Sequence, residues 1–373
     1  MVNQTTTLAK TDMVNARDNQ GRTPLYLAAQ SRDLTNVRLL LSYGADVKAL
    51  TADGSSVLLS VFDQSLLDTI HQAGKEESKD EVCRQLIAEL LDAGAPLDSL
   101  DARGRNAIHL AAELKLEQTL KVLLDRRGDA LDIEAVDYEG RTALHVAAGA
   151  RNKKIVDMLL AEGANVQSYT HERKSVLHSL LDEDIDGDDD KDEVNEIFDE
   201  LVKAGAPVTT LDKRRQSLLH LAGEHSMKEI FQKLLPAFED HTVQTTWGCT
   251  ALHTLLCSIE GHDGGDERDL ELCSVTALDG DDDEDVPEHH KQKKKETQAK
   301  EKNFEPKSWP EMLREMFERD ERVLYVQDDE GRLPVHLAAK YKHGKTLSTL
   351  LENYCQNEAA AAKTSEPAPT TEQ

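Results

Sequence analysis

One short pattern recurs along nearly the whole chain, and it limits the fold more than any other feature. Its clearest copies are DNQGRTPLYLAA (18–29), DYEGRTALHVAA (137–148) and DDEGRLPVHLAA (328–339). Weaker copies are DARGRNAIHLAA (101–112), DKRRQSLLHLAG (212–223) and TTWGCTALHTLL (245–256), with degraded ones at 52–60 and 172–181. A second half-pattern follows most of them: VRLLLSYGADV (37–47), IAELLDAGAPL (87–97), VDMLLAEGANV (156–166) and FDELVKAGAPV (198–208). One register position holds Tyr26, Leu59, His109, His145, His178, His220, His253 and His336, in steps of 33, 50, 36, 33, 42, 33 and 83. A period this long means stacked structural repeats, and the steps above 33 mark insertions.

Each recurring residue type has a physical reason. The glycine three places after the opening residue, as in Gly21 or Gly140, suits a tight turn at positive φ. Thr23 or Thr142 then caps a helix, and Pro24 presets its first turn. Paired alanines such as Ala28-Ala29 and Ala147-Ala148 let neighbouring first helices approach closely. The leucines of the second half bury a second helix, and Gly44, Gly94, Gly163 and Gly205 end it in a left-handed cap. No repeat can bury its apolar face alone, so the stack is the folding unit.

These two half-motifs, recurring in fixed order over roughly 15–355, resemble the ankyrin family. The resemblance implies an all-α repeat solenoid of about eight repeats, each a β-hairpin turn plus helix-loop-helix. The expected repeats are 18–50, 51–100, 101–136, 137–169, 170–211, 212–244, 245–327 and 328–355, after a flexible N-terminal segment at 1–14. The resemblance also assigns the histidines to bracing their own turn and the next repeat. Arg173 and Arg215 stand where the turn glycine belongs, and repeats 2, 5 and 6 are expected to be loose there.

Insertions are expected at 64–80, 182–192 and 258–308. Each falls after the first helix of its repeat, so all three should project from one edge and leave the hairpin groove clear. The longest has almost no large apolar residues and reads as disordered. The helix resumes at 308–317, with Ser308 as cap and Pro310 in its first turn. The segment 356–373 reads as a disordered tail.

Composition narrows the function. Aromatics are only 4%, which fits helices built on Leu, Ala and Val. The net charge of −27 repels nucleic-acid phosphates and anionic lipid, and favours a basic protein partner. No run is apolar enough for a membrane helix and no secretion signal opens the chain. Five scattered cysteines without CxxC suit a reducing compartment, so the expected location is cytoplasmic and also nuclear. No triad order, metalloprotease motif or phosphate-binding loop appears, and the expectation is no catalysis and no cofactor. What remains is an interaction module or scaffold, monomeric, that binds a protein through the groove such repeats form.

Three other signals stand beside this reading. Asp182, Asp184, Asp186, Gly187 and Glu193 match a calcium-loop spacing, though nine acidic residues in twelve nearly fill the pattern by themselves. A calcium-responsive regulator is therefore the alternative function, with solvated acid as the bland one. HHKQKKK (289–295) reads as a solvated charge cluster or an import signal. Asn165 occupies the position that asparaginyl hydroxylases modify in related repeats, or simply stabilises its turn.

By register, the partner-binding residues are Asn19, Gln20, Arg103, Tyr138, Glu139, Lys213, Arg214, Trp247, Asp329 and Glu330 at the turn tips. On the first helices they are Gln30, Leu114, Glu224, His225 and Tyr341. Tyr138 and Trp247 are the expected anchors, because aromatics give large contact area for few rotatable bonds.

Overall fold

The structure, a computed structural model, describes residues 13–63, 79–126, 128, 131–182, 188–258, 308–341 and 343–364. The import-like cluster, most of the 258–308 insertion and the 1–12 segment lie outside them. The chain divides into two compact units, Met1–Lys213 and Arg214–Gln373.

The first unit consists of helix pairs. α1 (Pro24–Gln30) precedes α2 (Leu34–Ser42), and the short α3 (Val57–Ser60) precedes α4 (Lys79–Asp92). Then come α5 (Ala107–Glu113) with α6 (Glu117–Arg126), α7 (Ala143–Gly149) with α8 (Lys153–Ala161), and α9 (Val176–Leu181) with α10 (Asp188–Lys203). The second unit holds α11 (Leu218–Glu224), α12 (Lys228–Leu234), α13 (Ala251–Ser258), α14 (Trp309–Arg319), α15 (Pro334–Lys340) and α16 (Gly344–Thr364). The hairpins carry isolated bridges, among them Leu50 with Ser56 and Tyr169 with Ser175.

The caps form as their residue types dictate. Thr23 Oγ1 accepts from Tyr26 N–H at 3.2 Å. Asn106 Oδ1 accepts from Ile108 N–H at 3.0 Å and His109 N–H at 3.1 Å. Ser308 and Glu311 satisfy each other's turn, with Ser308 N–H donating to Glu311 Oε2 at 2.9 Å. Gly44, Gly94, Gly163 and Gly205 all take positive φ and close their helices. The alanine pairs Ala111-Ala112 and Ala147-Ala148 are fully buried, as are Leu120, Leu123, Ile155 and Leu159 on the second helices.

Four expectations need correction. Arg173 and Arg215 adopt the left-handed turn at φ 60 and 59, so the hairpins they occupy keep glycine geometry at some strain. α10 begins at Asp188, inside the expected 182–192 insertion, because acidic side chains favour a helix's first turn. α16 runs to Thr364, into the first part of the expected tail, because Glu-Ala-Ala-Ala-Ala-Lys is strongly helix-forming. α2 buries only Val37, and Leu39 on it is exposed, since no described repeat precedes it to cover that face.

Candidate protein-binding surface

The hairpin tips are rigid because of one side chain each. Asp137 Oδ1 accepts from Glu139 N–H and Arg141 N–H, both at 2.9 Å, and Oδ2 accepts from Arg141 Nε at 2.8 Å. Asp18 with Arg22, Asp101 with Arg105 and Asp328 with Arg332 repeat the arrangement. Burial pushes the Asp137 carboxyl up, but the Arg141 N–H and guanidinium outweigh it and hold the group below the usual carboxylate range. Where the sequence has threonine the hydroxyl substitutes: Ser55 N–H donates to Thr51 Oγ1 at 2.9 Å.

Three histidines, His109, His220 and His253, join their own tip to the next. Asn106 N–H donates to His109 Nδ1, which leaves Nε2–H to donate to Arg141 O at 3.0 Å. His220 Nε2 reaches Val243 O and Cys249 O in the same way, and His253 Nε2 reaches Arg332 O. Burial lowers the His109 imidazole, and those of His145 and His220 to about 4, so these three are neutral and structural. Among the described residues no cluster could hold a metal ion.

Neighbouring tips are also bonded through their backbones. In the first unit Ala52 N–H donates to Gln20 O, Tyr138 to Arg103, His171 to Glu139 and Lys213 to Glu172, each at 2.9 Å. In the second unit Thr246 N–H donates to Arg214 O. This contact is so close that a Cβ on Gly140 would lie 2.6 Å from His171 N.

Two clefts open along the first unit. The larger, about 690 Å³, has the tips Tyr138, Glu139, His171 and Glu172 on one side and Val146, Gly149, Ala150 and Ser179 on its floor. Its far wall includes Asp182 and Glu193. Asp182, the first residue of the expected insertion, lines the cleft and pairs with Lys174. Asp184 and Asp186 lie outside the described residues. The smaller cleft, about 360 Å³, contains Arg103 and Leu114.

The expected contact residues fall into groups. Tyr138 is 70% exposed, with its ring against Gly104. Glu139 is exposed, though its carboxylate reaches Arg141 at 3.4 Å. Asn19 and Gln20 are exposed on the first tip, outside either cleft, and Gln30 is half-buried and donates to Asp63. Lys213 pairs with Glu172. In the second unit Trp247 is 42% exposed, with the Arg214 guanidinium 5.6 Å from its ring centre. Asp329 and Glu330 are exposed there, and Glu224, His225 and Tyr341 are half-buried. Asn165 is exposed, and its side chain accepts from Gln167 N–H at 3.0 Å.

One row escaped sequence reasoning. Leu50, Leu100, Val136 and Tyr169, each just before a turn-opening residue, are all 45–52% exposed. Their signal is positional: an apolar residue recurring at a place the framework leaves outside.

Fold and surface together define a protein of stacked helix-pair repeats with a hairpin-lined face. The family model for ankyrin repeats in three copies matches residues 70–170, and that for a single ankyrin repeat matches 20–52. Residues 20–52 and 70–170 are thus ankyrin repeats, and the same motif and hairpin geometry continue in the second unit. It is similar to the putative ankyrin repeat protein FPV244 of Fowlpox virus (strain NVSL), with 34% identity over 126 residues, 30% of this chain and 19% of the relative. It is also similar to the B-cell lymphoma 3 protein homolog of Mus musculus, with 27% identity over 169 residues, 44% of this chain and 34% of the relative. The chain thus spans a minor part of either curated relative. A solved structure of the ankyrin repeat domain of Bcl-3 matches at TM-score 0.46 and 25% identity, covering 63% of this chain and 95% of that one.

Proposed function

We propose that this chain is an adaptor that binds a partner protein across the hairpin groove of its first unit and performs no catalysis. The observation that carries the reading is Tyr138, an aromatic left 70% exposed on a rigid tip at the mouth of the larger cleft. A side chain already held by its neighbours loses little entropy on binding. A basic partner segment is supported by the pairing of three cations of that cleft, Arg105 with Asp101 and Glu113, Arg141 with Asp137 and Lys174 with Asp182. Carboxylates such as Glu193 are left facing the groove, in a chain of net charge −27. The tip residues Asn19, Gln20, Arg103, Glu139 and Lys213 extend the face. In the second unit Trp247 with Arg214, and Asp329 with Glu330, offer a separate patch. No helix among the described residues is long and apolar enough to cross a membrane. We assign the protein to the cytoplasm and nucleus as a monomer, and leave Asn165 as a candidate hydroxylation site.

The test is capture of partners by the wild-type chain and by Tyr138→Ala, compared by mass spectrometry. Loss of the same basic protein from the variant alone supports the reading, and identical partner sets overturn it. The calcium alternative rests on Asp182 and Glu193 sharing one cleft. Calorimetric titration with calcium is expected to show no sub-micromolar site, since Lys174 already neutralises Asp182. Tight binding lost on Glu193→Gln would reverse the order of the two readings.

A further inference from the structure

Four apolar residues of the first unit stand where a polar one would serve the stack. Leu50, Leu100, Val136 and Tyr169 each precede a turn-opening residue, in successive repeats. Side chains alternate across such a hairpin: Thr51, Asp137 and Thr170 are buried, and the residues on either side of each are exposed. None of the four apolar residues lines either cleft. The same position carries Arg17 in the first repeat, and Gln244 and Gln327 in the second unit. Arg17 Nη1 donates to Leu50 O at 2.7 Å, and Gln244 Nε2 donates to Gln327 O at 2.7 Å. Each of these bonds ties one repeat to the next at this position. Leu50, Leu100 and Val136 have no side-chain donor to give, so folding does not account for their place.

Carboxylates run beside the row. Asp46, Asp98 and Asp132 are exposed and Glu134 is half-buried, each within a few residues before a member of the row. Among the described residues Asp46, Asp132 and Glu134 accept from backbone N–H groups, those of Lys48, Glu134 and Asn165, and no cation is paired with them. An apolar row flanked by acid suits a partner that is apolar along one stripe and basic beside it.

Spacing selects the form of that partner. The first helices α5, α7 and α9 pack side by side, and packed helices lie about 8–10 Å apart, so Leu100, Val136 and Tyr169 recur at about that interval. Their tips are joined by Tyr138 N–H to Arg103 O and His171 N–H to Glu139 O. A helix returns residues i, i+7 and i+14 to one face about every 10.5 Å. An extended strand returns to one face about every 6.6 Å and falls out of step. A polyproline helix repeats near 9 Å, but its carbonyls call for donors, and the polar groups beside this row are carboxylates. We propose that the row is a docking strip for an amphipathic helix of a partner protein, with an apolar residue at every seventh position on Leu100, Val136 and Tyr169 and basic residues against Asp98, Asp132 and Glu134. The strip rests on the reading of the chain as an adaptor with a basic partner, and it adds a contact outside the groove.

The probe is a fluorescently labelled peptide of leucine and lysine, about 18 residues long, with leucines at helical spacing i, i+3 and i+7. Anisotropy is titrated with the full chain, with the double variant Leu100→Gln, Val136→Gln, and with Val146→Lys, which blocks the floor of the larger cleft. Glutamine already occupies this position at Gln244 and Gln327, so circular dichroism and melting temperature of the double variant should match wild type. The helical peptide is expected to bind wild type, to lose about tenfold or more on the double variant, and to keep its affinity for Val146→Lys. A peptide of the same composition with leucine and lysine alternating, which favours a strand, should bind at least about tenfold more weakly. Equal affinity for the double variant, equal binding of the alternating peptide, or no binding at all would overturn the proposal. Loss on Val146→Lys alone would put the peptide in the larger groove, overturning the strip while sustaining the groove reading. Loss on the double variant alone sustains the strip whatever partner capture by Tyr138→Ala shows for the groove.

Discussion

Replacing Gly140 by alanine should cost far more than the same change at Gly163, although both residues sit at similar positive φ, 78 and 85. At Gly163 nothing lies within 4 Å of the added Cβ, so the cost is the left-handed backbone alone, about 1–2 kcal/mol. At Gly140 that Cβ would lie 2.6 Å from His171 N and 2.7 Å from the His171 ring. The tips must part, and the bond from His171 N–H to Glu139 O is lost, adding about 1 kcal/mol for the bond and more for the displaced tip. The expected totals are about 3–4 kcal/mol for Gly140→Ala and 1–2 kcal/mol for Gly163→Ala. Urea unfolding followed by far-ultraviolet circular dichroism measures the difference. Tryptophan fluorescence serves as an internal control, because both tryptophans, Trp247 and Trp309, belong to the second unit. Equal costs at the two glycines would refute the claim that tip-to-tip contact holds the first unit together.

Three further outcomes follow from the same geometry. Leu159→Ala, at a fully buried position on α8, should cost about 2–5 kcal/mol in unfolding free energy. Lys115→Gly, at an exposed residue held at φ 57, should stabilise the chain by about 0.5–1 kcal/mol by removing left-handed strain; a fall in melting temperature would show that Lys115 makes an essential contact. Stability should be constant above about pH 6.5 and decline as pH falls toward 4: unfolded histidine takes up a proton near 6.5, whereas buried His145 and His220 resist until about 4. A flat unfolding free energy over that window would mean that the imidazoles are charged in the fold.

The framework was legible because its residues answer to local rules. Thr23, Pro24, the alanine pairs and the capping glycines each satisfy a backbone requirement that recurs every repeat, so they repeat in the sequence. Arg173 and Arg215 were misread as weak turns because neighbouring contacts can impose a conformation that arginine itself disfavours. The helix at Asp188 was hidden by acidic crowding, which looks like a loop by composition yet suits a helix N-terminus. The pairing of Lys174 with Asp182 depends on two residues eight places apart and has no periodic trace.

The most direct test of the account measures partner affinity and melting temperature together for wild type, Tyr138→Ala and Leu159→Ala. Tyr138→Ala should weaken the captured partner's binding by about 1–3 kcal/mol while leaving the melting temperature nearly unchanged, and Leu159→Ala should lower the melting temperature first. If Tyr138→Ala loses stability and keeps its affinity, the exposed ring serves the stack instead of the partner, and the hairpin groove is not the binding face.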